Sequence, residues 1–319
     1  MQFPIIDLES ISAVDPDATG STAREIDQAL SSVGFMAIVN HGVTDEIIAA
    51  AWQSARLFFD LPLEQKMQVH SDDPDYPYGY APMADEALGE DSRPDPKESF
   101  NLGPPPRPEV EAAGGYRLAE RLWPASPASF EASWLAYYEA MDSLAGRLMQ
   151  LFAIGLGLEV DFFDDKIDRH LSALRSLNYP EHENYPEDVQ IRAGAHTDYG
   201  TLTILRPDDT TAGLQVATAS GEWLSVPKVP NGFIINTGDL MAMWTNDRWR
   251  STLHRVVTPS QETCRRRQSM AFFHQPNWDA AIECLPSCTD ADHPPAYPPT
   301  HSGPWLRARV EAAHDLDSG

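Results

Sequence analysis

From residue 174 to residue 273 the chain is a series of short β-prone runs separated by turn residues, and this feature constrains the fold more than any other. The runs occupy residues 174–179, 191–196, 202–205, 213–216, 223–226, 232–236, 240–244, 254–257 and 269–273. Each is too short to bury a core alone, so strands at this spacing must close on a second layer as a sandwich or barrel. The preceding part reads as helical support. Residues 23–33 carry Ile26, Ala29, Leu30 and Val33 at helical spacing, with Ser21 as N-cap, and residues 34–39 form a strand. A second helix runs from a cap at Thr44 or Asp45 to Phe59. A long amphipathic helix spans 130–157, carrying Trp134, Tyr138, Met141, Leu144, Leu148 and Leu151. Residues 71–128, rich in Pro, Gly and charge, read as a functional loop or lid, and the tail after Trp278 as an irregular cover. The expected division is 1–128 for the N-terminal region with its lid, 129–170 for the supporting helix, 171–278 for the β core and 279–319 for the cover.

Composition narrows the function. With 48 acidic against 23 basic residues the 319-residue chain carries a formal charge of −25, which repels phosphate backbones and anionic lipid. Neither a nucleic acid nor a membrane partner is expected. The three cysteines, Cys264, Cys284 and Cys288, are too few and too late for a disulfide framework and form no CxxC pair. No leader or apolar span is apparent at MQFPIIDLES or elsewhere, so a cytoplasmic protein with no obligate protein partner is expected.

The chemistry concentrates in His196-Thr-Asp198-Tyr-Gly200. Residues two apart on a strand share a face, so His196 and Asp198 can present an imidazole and a carboxylate to one point. His254, at the start of a later run, can be brought across by closure of a barrel. Two imidazoles and one carboxylate with open positions describe the ligand set of non-haem Fe(II) oxygenases. The same ingredients suit an open zinc site, and a His-x-Asp pair also occurs as capping side chains in turns. The last run, Arg267-Gln-Ser269-Met-Ala-Phe-Phe273, decides between them. An Arg fork beside a hydroxyl on an apolar strand is costly to bury unless it holds an anion, and a dicarboxylate cosubstrate supplies one. The competing view makes Arg267 a surface cation of the Arg265-Arg266-Arg267 run.

In this light the sequence resembles the iron and 2-oxoglutarate dependent oxygenases of the isopenicillin N synthase-like family. Phe3-Pro-Ile-Ile-Asp7, Gly34-Phe-Met-Ala-Ile-Val-Asn-His-Gly42, Phe58-Phe-Asp-Leu-Pro-Leu-Glu-Gln-Lys66 and Asp95-Pro-Lys-Glu-Ser-Phe100 carry the resemblance in the first half. Leu174-Arg-Ser-Leu-Asn-Tyr-Pro180, the His196 motif, Asn236-Thr-Gly-Asp239, Met243-Trp-Thr-Asn246, Ser251-Thr-Leu-His-Arg-Val256 and the Arg267 run carry it in the second. The resemblance implies a mainly β fold with supporting helices (α+β) around a double-stranded β-helix, or jelly roll. It implies Fe(II) on His196, Asp198 and His254, and 2-oxoglutarate on Arg267 and Ser269, with Tyr179 at its carboxylate. It also implies O2 as cosubstrate and release of succinate and CO2. Many plant members have Asn two residues before that tyrosine, whereas this chain has Leu177.

Specificity is expected in the cover of the barrel mouth, with Tyr78, Tyr80, Arg93, Phe273 and His274 as candidates to touch a small substrate. An amino acid, nucleobase or secondary metabolite would suit, hydroxylation being the expected outcome. The alternatives are a same-family oxidase that desaturates or cyclises without 2-oxoglutarate and a non-enzymatic metal-binding β-barrel. His41 is expected to hold a turn, and His170 to lie on the surface.

Overall fold

The computed structural model describes residues 3–9, 16–73, 75–83, 97–116, 118, 120–180, 191–208, 213–257 and 266–315. In chain order the first half contains β1 (Ile5–Asp7), α1 (Pro16–Ser32), β2 (Phe35–Val39), α2 (Asp45–Phe59), α3 (Leu63–Lys66), β3 (Gly79–Ala81), β4 (Glu98–Leu102), α4 (Pro108–Ala112), α5 (Phe130–Gly155) and α6 (Asp164–Ile167). The second half contains β5 (Ala173–Tyr179), β6 (Ile191–His196), β7 (Leu202–Arg206), β8 (Leu214–Ala217), β9 (Trp223–Ser225), β10 (Phe233–Thr237), α7 (Asp239–Trp244), β11 (His254–Val257), β12 (Arg267–His274), β13 (Ala281–Ile282), β14 (Thr300–His301) and α8 (Ser302–Asp315).

The strands form a large sheet in the order β1-β2-β10-β7-β12-β5-β4-β3 and a small one in the order β6-β11-β8-β9. Apart from the parallel β1–β2 pair, both sheets are antiparallel. They face each other as a double-stranded β-helix. Side chains from both inner faces, among them Phe35, Ala37, Ala193, Val216, Ile234 and Val256, pack together in one apolar cluster. The outer face of the large sheet buries Met36, Ile38, Phe100, Leu174, Ile204, Ile235, Met270 and Phe272 with the apolar residues of α1, α2 and α5. Thus the central strands have no solvent face, because alternate residues go either to the helices or to the barrel interior.

The helices follow from local chemistry. Thr44 caps α2 by accepting a hydrogen bond from the Ile47 amide, and Asp45 and Glu46 complement the positive end of the helix dipole in the first turn. α1 begins at Pro16, five residues before the expected Ser21 cap, since proline is pre-organised for a first helical turn. Three segments differ from expectation. Residues 240–244 form the end of α7 and not a strand, because Leu-Met-Ala-Met-Trp has helix formers and no β-branched residue, with Asp239 in the first turn. The 71–128 segment contributes β3 and β4 to the large sheet. The tail ends in α8, whose Leu306 and Val310 pack on the cluster of Val110, Tyr116, Leu118 and Leu171. Among the described residues no helix is long and apolar enough to cross a membrane.

α5 anchors the outer layer through Trp134, which is fully buried, stacks on Phe130 at 4.8 Å and meets the edge of Phe100 at 5.0 Å. Trp134→Ala is expected to cost about 3–5 kcal/mol, read as a lower denaturant midpoint at unchanged m-value.

Candidate active site

The barrel brings together three side chains that lie far apart in sequence. His196, at the end of β6, is the register partner of His254, the first residue of β11, and their rings lie 4.3 Å apart. Asp198 follows two residues after β6, and its Oδ1 lies 3.9 Å from His196 Nε2 and 3.8 Å from His254 Nε2. The remaining polar atoms of the trio are occupied. His196 Nδ1 bonds the Gly194 carbonyl at 2.7 Å, and His254 Nδ1 bonds the Thr252 carbonyl at 3.1 Å. A carbonyl only accepts, so both protons sit on Nδ1 and both Nε2 lone pairs face the carboxylate. Asp198 Oδ2 accepts from Thr203 Oγ1 at 2.5 Å and from Asn236 Nδ2 at 2.7 Å, leaving Oδ1 to the trio.

Burial and the adjacent His254 push His196 down to about 4, which keeps its imidazole neutral. Burial alone would raise Asp198, but His254, His196, Asn236 and Thr203 together hold its carboxyl below the usual carboxylate range. Three ligand atoms within 4.8 Å of one another, each oriented by a second bond, fit a divalent transition metal with open positions.

The turn carrying Asp198 is held by close backbone approach. Asp198 O accepts the Asp239 amide at 2.8 Å. A Cβ on Gly200 would overlap the His274 carbonyl oxygen, and one on Gly238 would stand 2.5 Å from that of Gly200, so side chains at either position would push the turn away.

Farther along the interior, Arg267 and Tyr179 are cross-strand partners on β12 and β5. The Arg267 guanidinium lies 5.2 Å from the Tyr179 ring centre, and its Nη1 donates to Ser269 Oγ at 3.4 Å. Both Arg267 (4% exposed) and Ser269 (1%) are buried, which removes the surface-cation reading of Arg267. Phe273, on the same face, pairs in register with Thr203, the residue bonded to Asp198.

Two candidates lie on the other side of the sheet. The Tyr80 hydroxyl donates to Glu98 Oε2 at 2.6 Å, and its ring packs edge-on against Phe58 of α2. His274 alternates with Phe273 and so faces the helices, its Nδ1 bonded to Thr201 Oγ1 at 2.6 Å and its ring 5.7 Å from His170. Burial pushes it down to about 3, a neutral core histidine. Tyr78 meets Tyr76 edge-on and joins the apolar cluster under α8, while Arg93 lies outside the described residues. His41 does hold its turn, between the Asn231 carbonyl and the Val43 amide, but His170 is buried and paired with Asp142.

The sequence reading missed Thr203, Asn236, Arg175 and Arg192. Asn236 was signalled by being the polar residue in Phe-Ile-Ile-Asn, whereas the register shifts of β6 against β11 remove any strand-parity signal for Arg192. Its guanidinium lies 5.9 Å from the ring of Tyr179, and Arg175 on β5 donates to Ser99 Oγ at 3.0 Å.

Comparison with known proteins places this geometry. The model of the 2OG-Fe(II) oxygenase superfamily matches residues 170–276, and that of the non-haem dioxygenase in morphine synthesis N-terminal region matches residues 3–126. The chain is 33% identical over 307 residues to the 2-oxoglutarate-Fe(II) type oxidoreductase hxnY of Emericella nidulans, covering 93% of this chain and 86% of that one. It is 36% identical over 264 residues to the Validamycin A dioxygenase of Streptomyces hygroscopicus subsp. limoneus, covering 81% and 72%. The crystal structure of a full-length Neurospora crassa protein in complex with alpha-KG and thymine superposes with a TM-score of 0.86 at 29% identity, over 97% of this chain and 96% of that chain. The chain therefore belongs to the 2OG-Fe(II) oxygenase superfamily. It is a dioxygenase that uses Fe(II), 2-oxoglutarate and O2 to oxidise a small molecule.

Asn236→Ala frees Asp198 Oδ2 to turn, so it is expected to weaken divalent-metal binding about tenfold or more with little change in circular dichroism, as measured by titration with Fe(II) under anaerobic conditions.

Proposed function

We propose that His196, Asp198 and His254 hold Fe(II), that Arg267 and Ser269 hold the distal carboxylate of 2-oxoglutarate, and that the enzyme hydroxylates a small polar substrate. The observation that carries this reading is the disposition of the Asp198 carboxylate, with one oxygen committed to Thr203 and Asn236 and the other turned to two Nε2 lone pairs. The metal and the keto acid, when bound, supply the oxidant: 2-oxoglutarate loses CO2 and takes one oxygen atom of O2 to become succinate, and the substrate takes the other.

The chain's own residues bind and orient. The two Nδ1 hydrogen bonds fix the planes of the imidazoles, so the metal site is pre-organised before ligands arrive. Arg267 offers a desolvated fork to a carboxylate, and Tyr179 supports it from the neighbouring strand. A cosubstrate held there by Arg267 and Ser269 would keep its 2-oxo acid end for the metal that His196, Asp198 and His254 would hold. Phe273 then provides an apolar face beside the metal site, with Arg175 two rungs along the sheet from Ser269 on β5 as a polar contact for the substrate. The relatives named for hydroxylation of homoarginine, and the Neurospora structure with thymine, support a compact polar substrate.

Incubating the Fe(II)-loaded protein with a metabolite library, following substrate-dependent succinate and then product mass, tests the reading. A gain of one oxygen atom is expected; loss of two hydrogens without oxygen would replace hydroxylation by desaturation or cyclisation. Arg267→Ala is expected to raise the KM for 2-oxoglutarate by roughly a hundredfold or more while sparing metal affinity, because it removes the partner of a buried carboxylate. An unchanged KM would move the cosubstrate carboxylate elsewhere.

A further inference from the structure

On the outer face of the large sheet lies a chain of polar groups, buried at Lys66, Glu98 and Asn178 and reaching the surface at Asp60, for which the proposed chemistry has no use. Glu98, on β4 and 4% exposed, accepts three hydrogen bonds: from Lys66 Nζ and the Tyr80 hydroxyl on Oε2, both at 2.6 Å, and from Asn178 Nδ2 on Oε1 at 2.7 Å. Asn178 Oδ1 in turn accepts from Arg266 Nε at 2.7 Å, and Arg266 is bound to Asp60 and to the Arg56 carbonyl of α2. Lys66 also donates to the Phe59 carbonyl at 3.2 Å. The chain is continuous from the end of α2 across β4 and β5 to the residue before β12.

Its position relative to the interior is informative. Strand neighbours point to opposite faces, so outward Asn178 adjoins inward Tyr179, and Arg266 adjoins Arg267. Arg267 and Tyr179 form the last pair of the β5–β12 ladder, and Glu98 with Asn178 the last of β4–β5. Pro180 follows and has no amide hydrogen to extend either ladder. Where the backbone ladder stops, the outer side chains take over the pairing.

We propose that Glu98 is a positioning residue for the cosubstrate clamp, acting through Asn178 and Arg266 on the terminal Arg267–Tyr179 rung; this rests on the reading that Arg267 and Ser269 hold 2-oxoglutarate. The relay is directional. A carboxylate only accepts and a guanidinium only donates, so Asn178 has one workable orientation, with its amide nitrogen to Glu98 and its oxygen to Arg266. Glu98→Gln is nearly isosteric, yet it sets a donor against a donor. If the new amide nitrogen faces Asn178, Asn178 must flip and turns its own nitrogen on Arg266; if it faces the other way, it opposes the Lys66 ammonium, which can only donate. Adding Asn178→Asp restores an acceptor for both the new amide and Arg266.

The test measures 2-oxoglutarate Kd by calorimetry on Mn(II)-loaded protein without O2, alongside Mn(II) affinity and Tm. Glu98→Gln is expected to raise the 2-oxoglutarate Kd about tenfold, with Mn(II) affinity within about twofold of wild type, and the Glu98→Gln/Asn178→Asp pair to recover most of that loss. A Kd unchanged by Glu98→Gln, or a double variant that regains Tm without regaining Kd, overturns the proposal and leaves the network a structural brace. Should Glu98→Gln not fold, Asn178→Ala cuts the relay at its neutral member, and an unchanged Kd there has the same meaning. Arg267→Ala is measured in the same series: if it too leaves Kd unchanged, the clamp assignment fails, whereas a weakened Arg267→Ala beside an unaffected Glu98→Gln refutes the positioning role alone.

Discussion

The part of the site that surrounds the metal ligands depends on the alternation of side chains across the large sheet, which supplies Thr203, Asn236, Arg267, Ser269 and Phe273. β5, β7, β10 and β12 are covered on both faces, so each residue pair must solve two problems at once. In β12, Met270 and Phe272 go into the helical layer, while Arg267, Ser269 and Phe273 enter the barrel. A slip of one residue would turn the guanidinium to the helical layer and Phe272 to the side of the metal ligands. The outer aromatic core, with Trp134, Phe100, Phe130 and Phe58 in mutual edge or stacked contact, therefore does more than stabilise. It makes the wrong register prohibitively costly and so fixes which residues face the substrate.

The second constraint is that buried polar atoms need partners. The metal-site trio illustrates the economy of the solution, since every hydrogen bond that stabilises a ligand also removes one of its alternative orientations. Thr203 and Asn236 come from β7 and β10, which are adjacent strands with these two residues in register. A single rung thus holds Asp198, and the turn bearing it is in turn fastened to the start of α7. On the opposite face the Lys66–Glu98 pair follows the same rule, with both oxygens of the carboxylate used.

Electrostatically the interior contrasts with the chain as a whole. A protein of formal charge −25 places Arg267, Arg192 and Arg175 on inward-facing positions of three strands. Such an arrangement draws anions to the interior while the acidic exterior disfavours polyanions. The 2-oxo acid cosubstrate of this family has the charge that this interior accepts.

Much of this was legible in the sequence because the information is local. Strand parity put Arg267 with Ser269, and the run of short strands required a closed two-layer β structure; His196 and Asp198 do meet as expected, but through the turn after β6 and not along one strand. Caps and periodicity located α2 and α5 to within two residues. Other features needed the tertiary structure because they depend on which strands become neighbours. Nothing local to Asn236 or Thr203 says that their amide and hydroxyl meet one oxygen of Asp198; the β7–β10 register decides it. The lid candidates divided for the same reason. Phe273 and His274 are adjacent in sequence, but sheet position sends one to the barrel and the other to the helices, and Tyr80 goes to Glu98 because β3 joins the sheet beside β4. Sequence determined the ligand types and their spacing along each strand, since a two-residue period is a property of the backbone. Only the closed fold determined which ligands meet, since that is set by pairing between strands far apart in the chain.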